Sequence, residues 1–314
     1  MTEPGGHRTH VVEIAGTGDR FEVREGERIL TAARRAGLWL PFECGWGSCG
    51  TCKATLVEGE TRLVFAGAPA VDARDERRRR VVLCQSTAVS DLVLKPLRVD
   101  REPVPERPTV DVRAVLTSVE PLSEDISGFR FETSEPVPFR PGQYAVLEVA
   151  PGLRRCYSMA NLPGGSELEL VAKRYPGGVG SSGLFGLPVG AEVAVEAPYG
   201  DMWLRPSDRP VVLVAGGTGV SAILALLREL AGSRSQRRVL VAYGATRAPD
   251  LVRWAELAEL AGGLADAELV GSLLAPPPGG TGSRASSPTP SFPGCPTCSP
   301  PTSTSPVHRR WSTP

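Results

Sequence analysis

Residues 42–52 read Phe42-Glu43-Cys44-Gly45-Trp46-Gly47-Ser48-Cys49-Gly50-Thr51-Cys52, and a fourth cysteine follows in Val82-Leu83-Cys84-Gln85. The near three are spaced C-x4-C-x2-C. Three thiolates in one short loop can converge on one small inorganic core. Gly45, Gly47 and Gly50 let backbone N–H groups approach the sulfurs and stabilise their charge. This is the spacing of plant-type 2Fe–2S ligation. Zinc more often uses C-x2-C pairs, and disulfides are rare in a cytosolic chain. Four buried free cysteines seldom fall into this spacing by accident. Cys44, Cys49, Cys52 and Cys84 are therefore the candidate metal ligands.

Around that loop, residues 1–98 form a first unit. His10-Val11-Val12-Glu13-Ile14 and Arg20-Phe21-Glu22-Val23 alternate like two strands joined by a Gly16-Thr17-Gly18-Asp19 hairpin turn. Gly26 to Leu38 carries a stripe of Ile29, Leu30, Ala33 and Ala36, which predicts a helix, and Lys53 to Val57 predicts a strand. Val99 to Thr109, with Pro103, Pro105 and Pro108 among charges, reads as a linker.

Residues 110–206 contain short strand-like runs at Val110–Val115, Gly128–Glu132, Tyr144–Val149, Leu168–Lys173 and Glu192–Glu196. Pro/Gly turns separate them and no long helical period intervenes, so an antiparallel barrel is expected. The pattern changes at Pro210. Val211–Ala215 and Val239–Tyr243 are apolar strands, and helices are expected over Ser221–Leu230 and Ala248–Ala261. Strand–helix–strand–helix with apolar strands predicts a parallel sheet covered on both faces, over residues 207–275.

The whole chain has 314 residues, room for two or three domains. Lys+Arg and Asp+Glu both number 35, so no basic surplus points to nucleic acid. The 41% hydrophobic and 22% charged fractions suit a globular protein. The longest uncharged apolar run, Val211–Leu227, is short for a membrane span and is broken by glycines. Residues 1–20 lack a basic stretch followed by an apolar one, which argues against secretion and for the cytoplasm.

Two further motifs carry chemistry. Arg155-Cys156-Tyr157-Ser158 follows the strand at Tyr144–Val149. After it comes Tyr175-Pro176-Gly177-Gly178-Val179-Gly180-Ser181-Ser182, a glycine turn with hydroxyls that offers free N–H groups to a pyrophosphate. Gly216-Gly217-Thr218-Gly219 comes directly after an apolar strand and opens a helix, a place where phosphate can approach the backbone closely. Cys156 lies outside the cluster spacing and reads as a small strand residue. Cys295 and Cys298 form an isolated C-x2-C with no second pair beside it.

These motifs together carry a family resemblance. Phe42–Cys52 and Val82–Gln85 resemble the ferredoxin domain of oxygenase reductases, which implies a β-grasp fold with the four cysteines as cluster ligands. Residues 155–158 and 175–182 resemble the flavin domain of the ferredoxin–NADP reductase superfamily. That likeness implies an FAD site. Arg155 would pair with phosphate, Tyr157 would lie against the isoalloxazine or ribityl chain, and Ser158 would bond near flavin N5. Gly177, Gly178 and Ser181 would hold the pyrophosphate. Tyr157 and Ser158 are the implied catalytic residues, and Pro198-Tyr199-Gly200 resembles the turn closing that domain. Gly216, Gly217, Thr218 and Gly219 resemble the nicotinamide-dinucleotide loop, although Ala222 stands where many relatives have Pro. Arg247 could serve a 2′-phosphate or be a solvated loop arginine; the resemblance favours NADH.

The end of the chain departs from the family. From Pro276 on, 11 of 39 residues are Pro, 8 Ser and 6 Thr, with no Asp or Glu, so a disordered tail is expected. The closing Cys/Ala-Gly-x-Pro-x-Met motif is missing. Read one base over, however, Pro306–Pro314 can encode Gly-Ala-Pro-Pro-Met-Val-Asp-Ala, and Arg284–Ser291 can encode Gly-Phe-Val-Thr-Asp-Ala-Val. The single codon of Trp311, followed by a TCN serine, forces the valine. This points to a frameshift near Pro276–Gly280 and to a nucleotide-binding domain that reduces its cofactors poorly.

The expectation is thus a multidomain α+β and α/β protein: β-grasp domain, antiparallel FAD barrel, and incomplete parallel NAD(P) domain. As an NAD(P)H-dependent flavin iron–sulfur reductase it would pass electrons through FAD and the cluster to an oxygenase component, di-iron or Rieske, as a monomer with no nucleic-acid or membrane partner. The rival expectations are a non-enzymatic ferredoxin-like carrier with a crippled reductase half and, more remotely, a zinc-binding scaffold.

Overall fold

The hydrophobic alternation of the first residues sets the first sheet. In the computed structural model, which describes residues 9–64, 70–98 and 107–274, β1 (Thr9–Ile14) buries His10, Val12 and Ile14 and pairs antiparallel with β2 (Arg20–Arg24). Helix α1 (Ile29–Arg35) follows, then β3 (Lys53–Glu58), β4 (Thr61–Leu63), α2 (Ala73–Arg77), β5 (Arg80–Val82), β6 (Ser86–Ala88) and β7 (Leu92–Pro96). The strand order is β2-β1-β7-β3-β5, with β1 and β7 parallel and the other pairs antiparallel. This is the expected β-grasp arrangement, with Ile29, Leu30, Ala32 and Ala33 of α1 buried in its core. The helix is shorter than its apolar stripe suggested: Arg28 is still extended, and Gly37, at φ +77°, ends it.

The second unit comprises β8 (Val110–Pro121), β9 (Ile126–Thr133), β10 (Tyr144–Ala150), β11 (Leu153–Ser158), β12 (Glu167–Lys173), α3 (Val179–Phe185) and β13 (Glu192–Tyr199). Its six strands run β11-β10-β13-β8-β9-β12, with antiparallel pairing throughout. A bridge from Met159 to Leu170 draws the two ends together, so the sheet curls into the expected barrel around Phe129, Phe131, Phe139, Leu147 and Leu170. Strand β11 lies outside the five strand-like runs of the sequence, which marked only Cys156 as a strand residue.

In the third unit β14 (Val211–Gly216), α4 (Val220–Gly232), β15 (Val239–Ala245), α5 (Trp254–Gly262) and β16 (Ala267–Leu273) give a parallel sheet in the order β14-β15-β16. Two expectations need correction here. The second helix starts at Trp254 rather than Ala248, because Ala248–Asp250 forms a 3-10 turn and Arg253 sits at φ +60°, where a right-handed helix cannot continue. The sheet is covered on one face only among the described residues. Strands added in sequential order by right-handed crossovers place their helices on the same side, and α4 packs against α5. On the other side Val212 and Val214 are 50% and 69% exposed. No helix among the described residues is long and apolar enough to cross a membrane. Linker positions 99–106 and the tail from Pro276, with Cys295, Cys298 and the out-of-frame segments, lie outside the described residues.

Candidate functional site

The loop after α1 folds its cysteines together because its glycines turn where other residues would be strained; Gly45 and Gly47 have φ +68° and +92°. The amides of Ser48 and Cys49 donate to Cys44 Sγ at 3.3 and 3.4 Å, and the Thr51 amide donates to Cys49 Sγ at 3.5 Å. Cys52 and Cys84 are buried with their sulfurs 3.3 Å apart, and the Cys49 thiol bonds Cys44. The four sulfurs thus stand as two pairs, 44/49 and 52/84. All five described cysteines are free.

Burial opposes ionisation of Cys44, but the amides of Cys49, Ser48 and Trp46 outweigh it and hold the thiol below its ordinary value. The contact with Cys84 lowers Cys52 in the same sense, against burial. Both effects favour thiolates at Cys44 and Cys52, while the same contact and burial push the Cys84 thiol up. Among the described residues no three His, Cys, Asp or Glu side chains converge on a single metal position. A binuclear iron core takes four thiolates shared between two irons, and two sulfur pairs are the matching donor set.

The cysteine loop does not float free of the barrel. The Cys156 thiol donates to Cys44 O at 2.6 Å, and the Tyr144 hydroxyl donates to Glu43 O. Arg155 stacks its guanidinium 4.6 Å from the centre of the Trp46 ring. A Cβ on Gly45 would lie 3.0 Å from Val146 Cγ2. Cys156 is the strand residue the sequence suggested, yet its thiol also joins the motif strand β11 to a cluster cysteine. The only sequence hint of this was its place between Arg155 and Tyr157.

Arg155, Tyr157 and Ser158 occupy the second half of β11, none of them fully buried, with Tyr157 packed on the barrel core. The glycine turn lies beside them: a Cβ on Gly180 would overlap the Arg155 side chain. Within the turn, Gly177 has φ +70°, and a Cβ on Gly178 would come 2.7 Å from Ser181 Oγ. Ser181 Oγ accepts from the Tyr175 amide at 3.1 Å and donates to Gly178 O at 3.0 Å. The turn and the guanidinium therefore form one cradle of small residues, amides and positive charge, which fits a flavin pyrophosphate.

Gly216, Gly244 and Ser272 lie in register at the carboxyl ends of β14, β15 and β16. Nothing lies within 4 Å of a Cβ on Gly216 or Gly217, so the backbone there is open to a ligand. A groove of about 590 Å³ runs over Gly216, Gly217 and Thr218 to Leu274. It shares Lys173, Tyr175, Thr246 and Asp250 with a neighbouring groove of about 580 Å³ that reaches Gly177 and Ser182. A crevice at the carboxyl ends of parallel strands is where α/β sheets bind nucleotides. Arg247, at its rim, makes a two-point pair with Asp250 at 3.1 Å, bonds Glu124 at 3.1 Å and lies 3.8 Å from Asp125.

Residues 12–89 match the family described as 2Fe-2S iron-sulfur cluster binding domain, and residues 113–203 match the oxidoreductase FAD-binding domain. The chain is 36% identical over 273 residues to the reductase component of propane 2-monooxygenase from Mycolicibacterium goodii, spanning 84% of this chain and 78% of that one. It is 35% identical over 256 residues to the reductase component of phenol 2-monooxygenase from Pseudomonas sp. strain CF600, spanning 80% and 72%. Among solved structures, the ferredoxin reductase of carbazole 1,9a-dioxygenase superposes with a TM-score of 0.74 at 29% identity, over 86% of this chain and 80% of that one.

Proposed function

The chain belongs to the family of oxygenase reductase components that join a 2Fe–2S ferredoxin domain to an FAD-binding oxidoreductase domain, and from that premise we propose how its own residues divide the work. The protein is an oxidoreductase that carries electrons from NAD(P)H through FAD and the cluster to an oxygenase. Bound flavin takes up an electron pair as hydride, and the cluster accepts electrons singly. In this reading the pairs Cys44/Cys49 and Cys52/Cys84 hold the two irons, with the amides of residues 48 and 49 offsetting thiolate charge. Arg155 holds a flavin phosphate, assisted by Gly177, Gly178 and Ser181. Tyr157 and Ser158 position the isoalloxazine, the hydroxyl of Ser158 serving as its hydrogen-bond partner. Gly216, Gly217, Thr218 and Gly219 carry the pyridine-nucleotide phosphates at the amino end of α4. Residues 1–98, 110–206 and 207–275 are the corresponding domains, joined by a linker at 99–109.

The observation that carries this reading is the Cys156–Cys44 hydrogen bond: the strand proposed to bind flavin touches a proposed cluster ligand directly. For the donor we infer NADH. Arg247, the residue the sequence offered for a 2′-phosphate, is already surrounded by Asp250, Glu124 and Asp125. A phosphate arriving there would meet three carboxylates. An oxygenase of di-iron or Rieske type, served by a monomeric cytoplasmic protein, completes the proposal on family resemblance alone.

Anaerobic titration with NADH, followed by visible spectroscopy, tests the scheme. Flavin and cluster bands should both bleach in protein loaded with both cofactors. Bleaching of neither would leave the chain a ferredoxin-like carrier.

A further inference from the structure

Arg34 is the one charged residue on the buried face of α1, and its side chain is 4% exposed. Its neighbours Ile29, Leu30, Ala32 and Ala33 fill the core of the first domain. The guanidinium instead leaves that domain: all of its charged partners belong to the barrel. It bonds Glu196 Oε2 at 3.0 Å and the Tyr199 hydroxyl, and approaches Asp111 Oδ1 at 3.6 Å. Glu196 is 11% exposed at its side chain, is ion-paired with Arg154 and also accepts from the Tyr199 hydroxyl and from Thr31 Oγ1, the last at 3.3 Å. Arg154 is 3% exposed at its side chain and stands on β11 immediately before Arg155. One carboxylate therefore ties helix α1 of the first domain to the strand that carries the proposed flavin residues.

From this arrangement we infer that Arg34, Glu196 and Arg154 form a docking clamp, a set of positioning residues that hold the cysteine loop against β11 and so set the gap electrons must cross. The inference rests on the cofactor placement proposed above. Its physical basis is charge burial. A buried guanidinium is costly unless paired, and the carboxylates facing Arg34 are all in the barrel, so its charge is met only when the domains are docked. Separation would strip Arg34 of every partner named above. Burial works against the charge of Glu196, yet the two guanidinia overcome it and hold the carboxyl well below its usual range. In this proposal the buried pairs serve to specify the docked arrangement rather than to add stability. Apolar contacts share the same seam. The Phe42 and Tyr199 rings meet edge to face at 4.8 Å, Tyr199 stacks on Tyr144 at 5.7 Å, and Gly45 lies against Val146.

Because electron tunnelling weakens steeply with distance, loosening the clamp should slow transfer between flavin and cluster without changing how either cofactor is bound. The test uses the full chain loaded with FAD and iron. A flash of photoreduced deazaflavin serves as electron donor, and the flavin and cluster bands are followed separately. Glu196→Gln keeps the side-chain shape but takes the carboxylate from Arg154 and leaves Arg34 with Asp111 alone. It should slow flavin-to-cluster transfer on the order of tenfold or more at unchanged iron and FAD content, and flavin reduction by the flash should keep its rate. Hydrogen exchange should rise together in residues 44–52 and 144–150. Arg34→Lys should keep most of the transfer rate and Arg34→Gln should lose it. Tyr199→Phe, a milder change should Glu196→Gln fold poorly, should slow transfer to a smaller degree. Unaltered transfer in fully loaded Glu196→Gln or Arg34→Gln overturns the clamp, as does equal slowing in Arg34→Lys and Arg34→Gln. Absence of flavin-to-cluster transfer in the parent chain would instead overturn the cofactor placement.

Discussion

A methyl group added at Gly45 tests whether the cysteine loop is seated on the barrel, and Gly37 provides its control. Both glycines have left-handed backbones, φ +68° at Gly45 and +77° at Gly37. Placing alanine in that region costs roughly 1–2 kcal/mol at either site, about a 5- to 30-fold shift in the folding equilibrium. Their surroundings differ. Nothing lies within 4 Å of a Cβ on Gly37, whereas one on Gly45 would meet Val146 Cγ2 at 3.0 Å and Tyr199 Cζ at 3.9 Å, both in the barrel. Gly45→Ala therefore carries an added overpacking cost, typically about 1–3 kcal/mol, and that cost falls on the seam between domains. Chemical unfolding of both variants should show a loss in Gly37→Ala near the strain value and a larger one in Gly45→Ala. Flash-induced transfer from flavin to cluster should slow only in Gly45→Ala. Equal destabilisation of the two, with equal transfer rates, would refute the seating of the loop on β10.

Other outcomes follow from the same geometry. Cys84→Ser should lose iron while retaining FAD, so that NADH-dependent reduction of ferricyanide survives and that of cytochrome c falls at least about tenfold, read by metal analysis and steady-state assays. Glu124→Gln with Asp250→Asn frees Arg247 of two carboxylates and should raise kcat/KM for NADPH relative to NADH, by about tenfold for each charge-assisted hydrogen bond that Arg247 then donates to the 2′-phosphate. Asp75 is held down to about 2 from 3.8 by its hydrogen bond from Lys53, against burial, with help from Arg80. A carboxyl lowered on folding stabilises fully above its unfolded value, so this contribution should be intact above pH 3.8 and lost as pH falls through about 2. Asp75→Asn should flatten the acid limb of first-domain stability. Finally, moving the reading frame by one base near Pro276–Gly280 should supply a cover for Val212 and Val214. Hydrogen exchange in β14 should fall and NADH-driven flavin bleaching should quicken; a resequenced gene with an unshifted frame would remove the premise.

Local chemistry was legible in the sequence, and long-range pairing was not. The cysteine spacing, the 175–182 turn and the 216–219 loop depend on residues a few positions apart, so their types and intervals sufficed to mark them. The alternation in β1 and β2 was equally plain, since every second side chain is buried. Strand β11 was marked only at Cys156 because only Leu153 and Arg154 are buried and the remaining four residues are half-buried, which leaves no period to read. The late start of α5 escaped because Arg253 adopts a left-handed backbone that its residue type does not advertise. The one-sided sheet was hidden by composition: Val212 and Val214 are as apolar as the buried Val211 and Leu213 beside them. The hydrogen bonds named above that join the domains link positions 101 to 165 residues apart, from Tyr144 and Glu43 to Arg34 and Tyr199. No single stretch of sequence carries them, and an arginine on a helix reads as a solvated one until its partners are in place.

Metal and sulfide analysis of the purified chain, taken with its visible spectrum, bears most directly on the arrangement of four sulfurs in two pairs beside β11. The account predicts a coloured protein with about two irons and two acid-labile sulfides per chain, together with FAD. One zinc per chain, or Cys52 and Cys84 recovered as a disulfide from colourless protein, would contradict it.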